Sequence, residues 1–149
     1  MLRRVHIFMG LFLALYFLPH VNHKILFFPI VLISSIIPDL DTIFFPHKTH
    51  YKIIKMLKSE PYKNFMHSYT LCIFLSLILA FFYPIIALPF FIGYSFHLFF
   101  ESLTTYGTRP FWPAKIRSKG FIAPEGTIEK TLTVILGILS VILILGYLI

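Results

Sequence analysis

The final eighteen residues, Leu132–Ile149, carry no charged side chain. A helix needs about 20 largely apolar residues to cross the roughly 30 Å hydrocarbon core of a bilayer, and few other structures use so long an uncharged run. Four further apolar stretches precede it: Val5–Val21, Ile25–Pro38, Ser68–Tyr83 and Ile85–Phe100. Together these five take up most of a 149-residue chain. Composition agrees, with 58% hydrophobic residues, 18 Phe and only 13% charged residues, against about a quarter charged in a soluble domain. Mean hydropathy is +0.85. A water-soluble domain and a disordered chain are both excluded. The expectation is an all-α, polytopic integral membrane bundle of about five transmembrane helices, forming one domain over residues 1–149.

Proline and length shape the spans. Only Pro84 separates the third run from the fourth, and proline disfavours helix in the residue before it, so these two runs predict a tight hairpin. The second run reaches only about 21 Å as a helix, so its polar ends must lie close to the bilayer. Met1-Leu2-Arg3-Arg4 before an apolar run has the form of a signal peptide. No small-residue cleavage site follows, which predicts an uncleaved first helix. The single cysteine, Cys72, lies inside the third run. It rules out an intramolecular disulfide and any Cys-based metal motif.

The net charge of +7 comes from 13 Lys and Arg against 6 Asp and Glu. No nucleic-acid motif accompanies it, and in a membrane chain basic residues set topology and meet anionic headgroups. Arg3 and Arg4, Lys48 to Lys63, and Arg109 to Lys130 fall on one side of a five-span arrangement, leaving Lys24 on the other. Twelve positive residues against one predict a cytoplasmic N-terminus. The same arrangement gathers all six carboxylates, with His6, His67 and His97, at the cytoplasmic surface. His20 and His23 fall at the opposite face and are read as structural, while His47 and His50 lie in a basic loop. Ionisable groups beside the hydrocarbon are costly and usually mark a site.

Two constellations stand out. Asp39-Leu40-Asp41 follows Pro38; an extended Asp-x-Asp directs both carboxylates at one cation, whereas a helix-terminating acidic pair opposes the macrodipole. His97 and Glu101 are four residues apart and share a helix face, a spacing that suits a divalent metal, although a histidine bonded within its own helix has the same spacing. Ser68 is placed to cap the third helix beside His67. There is no Gly-x-Ser-x-Gly elbow and no phosphate-binding glycine loop.

These residues resemble the YdjM-like family of small inner-membrane proteins, which is associated with metal-dependent hydrolysis. Its Leu-Pro-Asp-x-Asp is similar to Ile37-Pro38-Asp39-Leu40-Asp41. A second motif ending in Thr-His-Ser is similar to Lys63-Asn64-Phe65-Met66-His67-Ser68. The longest is matched by Gly93-Tyr94, His97, Glu101, Thr104, Gly107 and Trp112-Pro113, and His6 and Glu129 also fall where the family has a His and a Glu. Tyr62, Met66 and Glu101 depart from its usual His, Thr and Asp. A looser similarity to zinc-dependent phospholipase C proteins rests on the His-x-x-x-Glu pair and the Asp after Pro.

The resemblance implies metal-assisted hydrolysis. His6, Asp39, Asp41, His67, His97 and Glu101 are the expected ligands of one or two divalent ions, zinc first and manganese second. Asp41, Glu101 and His67 are the expected catalytic groups. Lys63, Arg109 and Lys115, with Arg117, are expected to hold an anionic substrate, a lipid or lipid-linked phosphoester, unless they only set topology. Two other readings compete: a membrane scaffold whose metal only ties helix ends together, and a small ion or proton transporter.

Overall fold

A computed structural model describes residues 3–40, 63–105, 108–114 and 116–148. Among them are five helices of eleven residues or more: α1 (Arg3–Phe17), α2 (Lys24–Ser34), α3 (Tyr69–Phe82), α4 (Pro84–Ser102) and α5 (Thr127–Leu148). Short 3-10 turns at Leu18–His20 and Ile37–Asp39 follow α1 and α2, and one helical turn, Lys63–Met66, precedes α3. There is no strand among the described residues, only two isolated bridges between α4 and α5.

Proline marks most of these boundaries. Pro84 opens α4 and leaves Tyr83 as the single non-helical residue of the α3–α4 hairpin, because a proline at N1 gives up no helical hydrogen bond. Pro19 and Pro38 sit in the two 3-10 turns. Ser68 caps α3, its Oγ accepting from the Thr70 N–H at 3.1 Å.

The expectation of five spans is not met by helix length. Two helices are long and apolar enough to cross a bilayer by themselves, α4 with 19 residues and α5 with 22. α3 has 14 residues, and α1 reaches only His20 with its 3-10 turn. α2 is shorter than its apolar run, because regular helix stops at Ser34. Its 11 residues cover about 16 Å.

α1 and α4 are the central helices. α1 packs on α2, α5 and α4, while α4 packs on α2, α3 and α1. Val5, Met9, Leu13, Phe27, Val31 and Leu136 form one buried cluster, and Cys72, Phe90, Tyr94 and Leu98 form another. Two glycines bring the helices close at Ser34–Ser35. A Cβ on Gly10 would overlap the Ser35 hydroxyl, and one on Gly93 would overlap the Ser34 hydroxyl and the Val31 carbonyl.

The distribution of polarity is the reverse of a soluble protein. His6, Ser34, Ser35, His67, Ser68, His97, Glu101, Thr104 and Glu129 are buried, while Phe74, Leu77, Phe81, Phe82, Val141 and Leu148 are exposed. Only 11% of the apolar window of α5 is covered by the rest of the chain. Apolar surface of this extent fits hydrocarbon, not water.

Candidate metal centre

α1 and α4 supply three of the buried polar groups at one end of the bundle. His6 lies in the first turns of α1, and His97 and Glu101 lie one turn apart near the end of α4. Asp39 closes the 3-10 turn after α2, and His67 stands just before the Ser68 cap of α3. Two helices and two short turns therefore converge, and each places a ligand-bearing side chain where the helices end.

The His97 ring is held in a defined state. Its Nδ1 lies 2.7 Å from the Ser35 carbonyl oxygen. A carbonyl only accepts, so Nδ1 carries the proton and donates, and Nε2 of the neutral ring presents a lone pair. Asp39 Oδ1 faces that nitrogen at 3.8 Å. Two acceptors opposed at this distance repel unless a cation lies between them. Ligand atoms about 2.0–2.1 Å from a shared zinc stand about 3.4 Å apart at the tetrahedral angle, close to this separation.

His6 completes the group. Its ring stacks on His97 with centroids 3.8 Å apart, and one ligand atom from each of His6, Asp39 and His97 lies within 4.8 Å of the others. Neither nitrogen of His6 nor Nε2 of His97 has a hydrogen-bond partner among the described residues, although both rings are buried. Buried polar atoms are normally paired, so three unpaired nitrogens beside a carboxylate suit a metal ion. The Ser35 contact supplies the outer hydrogen bond that metal-binding histidines typically make.

Two more groups flank this cluster. Glu101 Oε2 stands 3.7 Å from His6 Nε2, and His67 Nε2 stands 3.8 Å from Asp39 Oδ1. Burial works to raise the Asp39 carboxyl, and the interaction with His67 opposes that effect. Tyr94, fully buried on α4, donates to the Met66 carbonyl at 2.6 Å and so ties α4 to the turn before His67. Glu129, at the start of α5, accepts from the Glu125 N–H at 2.6 Å.

The expected site residues are thus distributed unevenly. His6, Asp39 and His97 come together, with His67 and Glu101 beside them. Asp41 and Lys115 lie outside the described residues, as do Lys48, His47 and His50. Lys63 begins the turn before His67, with its side chain outside the described residues. Arg109 lies in the α4–α5 connection beside Pro110, whose carbonyl accepts from the Tyr69 N–H. Asp39 belongs to a 3-10 turn and Leu40 has φ −62° and ψ −31°, while the other member of the Asp-x-Asp pair, Asp41, lies outside the described residues. His97 and Glu101 share a buried face as expected, but the member brought between them is His6.

Sequence reasoning missed Ser35. It contributes a backbone carbonyl, which no side-chain pattern reveals. The only hint was the run of small residues, Gly10, Ser34, Ser35 and Gly93, that permits the close approach.

Comparison with curated proteins and with solved structures gave no match. The model of the YdjM inner membrane protein family matches residues 1–149, the whole of the sequence. That match includes both helices long enough to span a bilayer and every member of the His6–Asp39–His97 group, and the chain belongs to the YdjM inner membrane protein family.

Proposed function

We propose that the polar end of the bundle is the active site of a membrane-embedded metal-dependent hydrolase. The observation that carries this reading is the His97 ring. Its proton is committed to Ser35, so its lone pair faces the Asp39 carboxylate with His6 stacked alongside. His6, Asp39 and His97 would hold the ion, and the mixed nitrogen and oxygen donors favour zinc, with manganese second. A divalent ion in such a site supplies Lewis acidity and brings the pKa of water toward ~7.

The remaining groups have assignable work. Glu101, 3.7 Å from His6, would take a proton from the water, and Asp41 is the alternative base. His67, 3.8 Å from Asp39, would orient that carboxylate or protonate a leaving group. Lys63, Arg109 and Lys115 are the cations proposed to hold the substrate anion. Ligands gathered where helices end favour a substrate at headgroup depth, a lipid or lipid-linked phosphoester. The Lys and Arg asymmetry favours an N-terminus and a site on the cytoplasmic side.

The test is phosphoester turnover by the full-length protein in liposomes, with zinc or manganese added, beside Asp39→Ala and His97→Ala. Metal-dependent release of phosphate that is lost in both variants, with insertion unchanged, is the expected result. Turnover that persists in both variants overturns the mechanism. Metal retained without turnover of any phosphoester would assign the ion to tying α1, α4 and the turn after α2 together.

A further inference from the structure

We infer that the connection between α4 and α5 is a bilayer-facing apron that seats its aromatic residues among the headgroups of an anionic membrane. This rests on the family's place in the inner membrane and on the observations below, and it stands whether or not the metal site turns anything over.

The described parts of the connection are hydrogen-bonded to one another, and they have two sides. Thr105 N–H donates to the Ile122 carbonyl, Gly120 N–H to Thr104 and Ile122 N–H to Leu103, at 2.9–3.0 Å. Thr108 and Ser118 exchange a reciprocal pair at 2.9 Å. A Cβ on Gly120 would overlap the Leu103 backbone, so the returning segment lies directly on the end of α4. Thr104 and Ile122 face inward and are buried. Phe111, Trp112, Ile116 and Phe121 face outward with exposures of 53%, 38%, 63% and 72%. Arg117 and Lys119, both exposed, alternate with them.

Large apolar side chains held outward by a hydrogen-bonded frame and interleaved with cations fit the boundary of a bilayer. Aromatic rings sit there at headgroup level, and basic residues meet anionic lipid. The apolar surface is also continuous with the helices. Phe111 lies 6.3 Å from the Tyr69 ring, and Trp112 makes an edge contact with Phe65 at 5.2 Å. Tyr69 in turn lines a cavity of about 340 Å³ with Ser95, Phe96 and Phe99 on the outer side of α4. The connection therefore extends the apolar surface of α3 and α4, and it folds over the end of the bundle that carries the polar cluster.

Trp112 is the only tryptophan in the chain, so the native protein reports on itself. The full-length protein is reconstituted in vesicles of equal parts phosphatidylcholine and phosphatidylglycerol, and in phosphatidylcholine alone. Its emission is then challenged with lipids brominated near the headgroup, with lipids brominated near the chain end, and with aqueous acrylamide. We expect strong quenching by the shallow bromine, weaker quenching by the deep one, and protection from acrylamide. Acrylamide quenching equal to that of free indole, without bromolipid quenching, overturns the proposal. Resistance to both quenchers also overturns it, because the ring would then be covered by protein. Extra shallow quenching in the phosphatidylglycerol vesicles, lost on combining Arg117→Gln with Lys119→Gln, supports recognition of anionic lipid. Equal quenching of the unaltered protein in the two vesicle types removes that part of the proposal.

Discussion

Both ends of this bundle carry histidines, and the two sets behave differently. At one end His6, His67 and His97 are 0–1% exposed, stacked or tilted against one another, and set around Asp39 and Glu101. At the other end His20 and His23 are exposed. His20 leans on Tyr16 in a 3-10 turn, and His23 precedes α2, where its backbone carbonyl accepts from Leu26 and Phe27. A cavity of about 270 Å³ lies beside these two, but its lining includes no carboxylate. Imidazole alone therefore does not make a site. What separates the ends is a buried carboxylate grouped with His6 and with the Nε2 of His97, ring nitrogens that make no hydrogen bond among the described residues.

The sharpest way to break this contrast is a metal-dependent shift in thermal unfolding. An ion that binds only the folded chain stabilises it by about 2.7 kcal/mol at a hundredfold excess over Kd. In detergent, wild type should gain a stabilisation of that order on adding zinc, and His97→Ala should gain none. The double variant His20→Ala with His23→Ala should keep the full gain. An equal gain in all three would erase the distinction between the ends.

Beneath the polar end the close packing at Ser34–Ser35 predicts the next largest effect. Gly93→Ala forces a new Cβ into the Ser34 hydroxyl and the Val31 backbone, and overpacking of this kind costs about 1–3 kcal/mol. The melting temperature should fall. The zinc-dependent gain should shrink as well, because α4 moves away from the Ser35 carbonyl that fixes His97. Gly146→Ala meets nothing within 4 Å and should change stability by less than about 0.5 kcal/mol. If both variants melt alike, the close approach is not holding the site.

Tyr94→Phe removes the hydroxyl that donates to the Met66 carbonyl. Losing one buried hydrogen bond costs about 1 kcal/mol, and outer-contact changes around metal sites typically weaken binding about 10–100-fold. A zinc titration should therefore move to weaker affinity with the fold intact. Smallest of all, His20→Ala and His23→Ala singly should each shift unfolding by less than about 0.5 kcal/mol.

Much of this organisation was legible in the order of residues. The α3–α4 hairpin follows from Pro84, the cap of α3 from Ser68, and α5 from its uncharged run, because each is a local property of backbone or hydropathy. Residues separated in sequence were harder to place. α2 stops at Ser34, four residues before Pro38, which has no N–H to donate to the Ser34 carbonyl, a stop that its continuous apolar run conceals. His6 lies far in sequence from the other members, and only the packing of α1 on α2 and α4 places it against His97. The turn at Asp39 depends on how the backbone leaves Pro38, which spacing alone does not determine.

The central claim is that His6, Asp39 and His97 hold a divalent ion. Elemental analysis of the detergent-purified protein tests it directly, run beside Asp39→Ala, His97→Ala and the His20→Ala, His23→Ala pair, all at matched folding. Zinc or manganese is expected in fixed proportion to wild type and to the His20, His23 variant, and to be lost from the other two. A wild type that takes up no metal even when metal is added back, or an Asp39→Ala protein that keeps its ion, would contradict it.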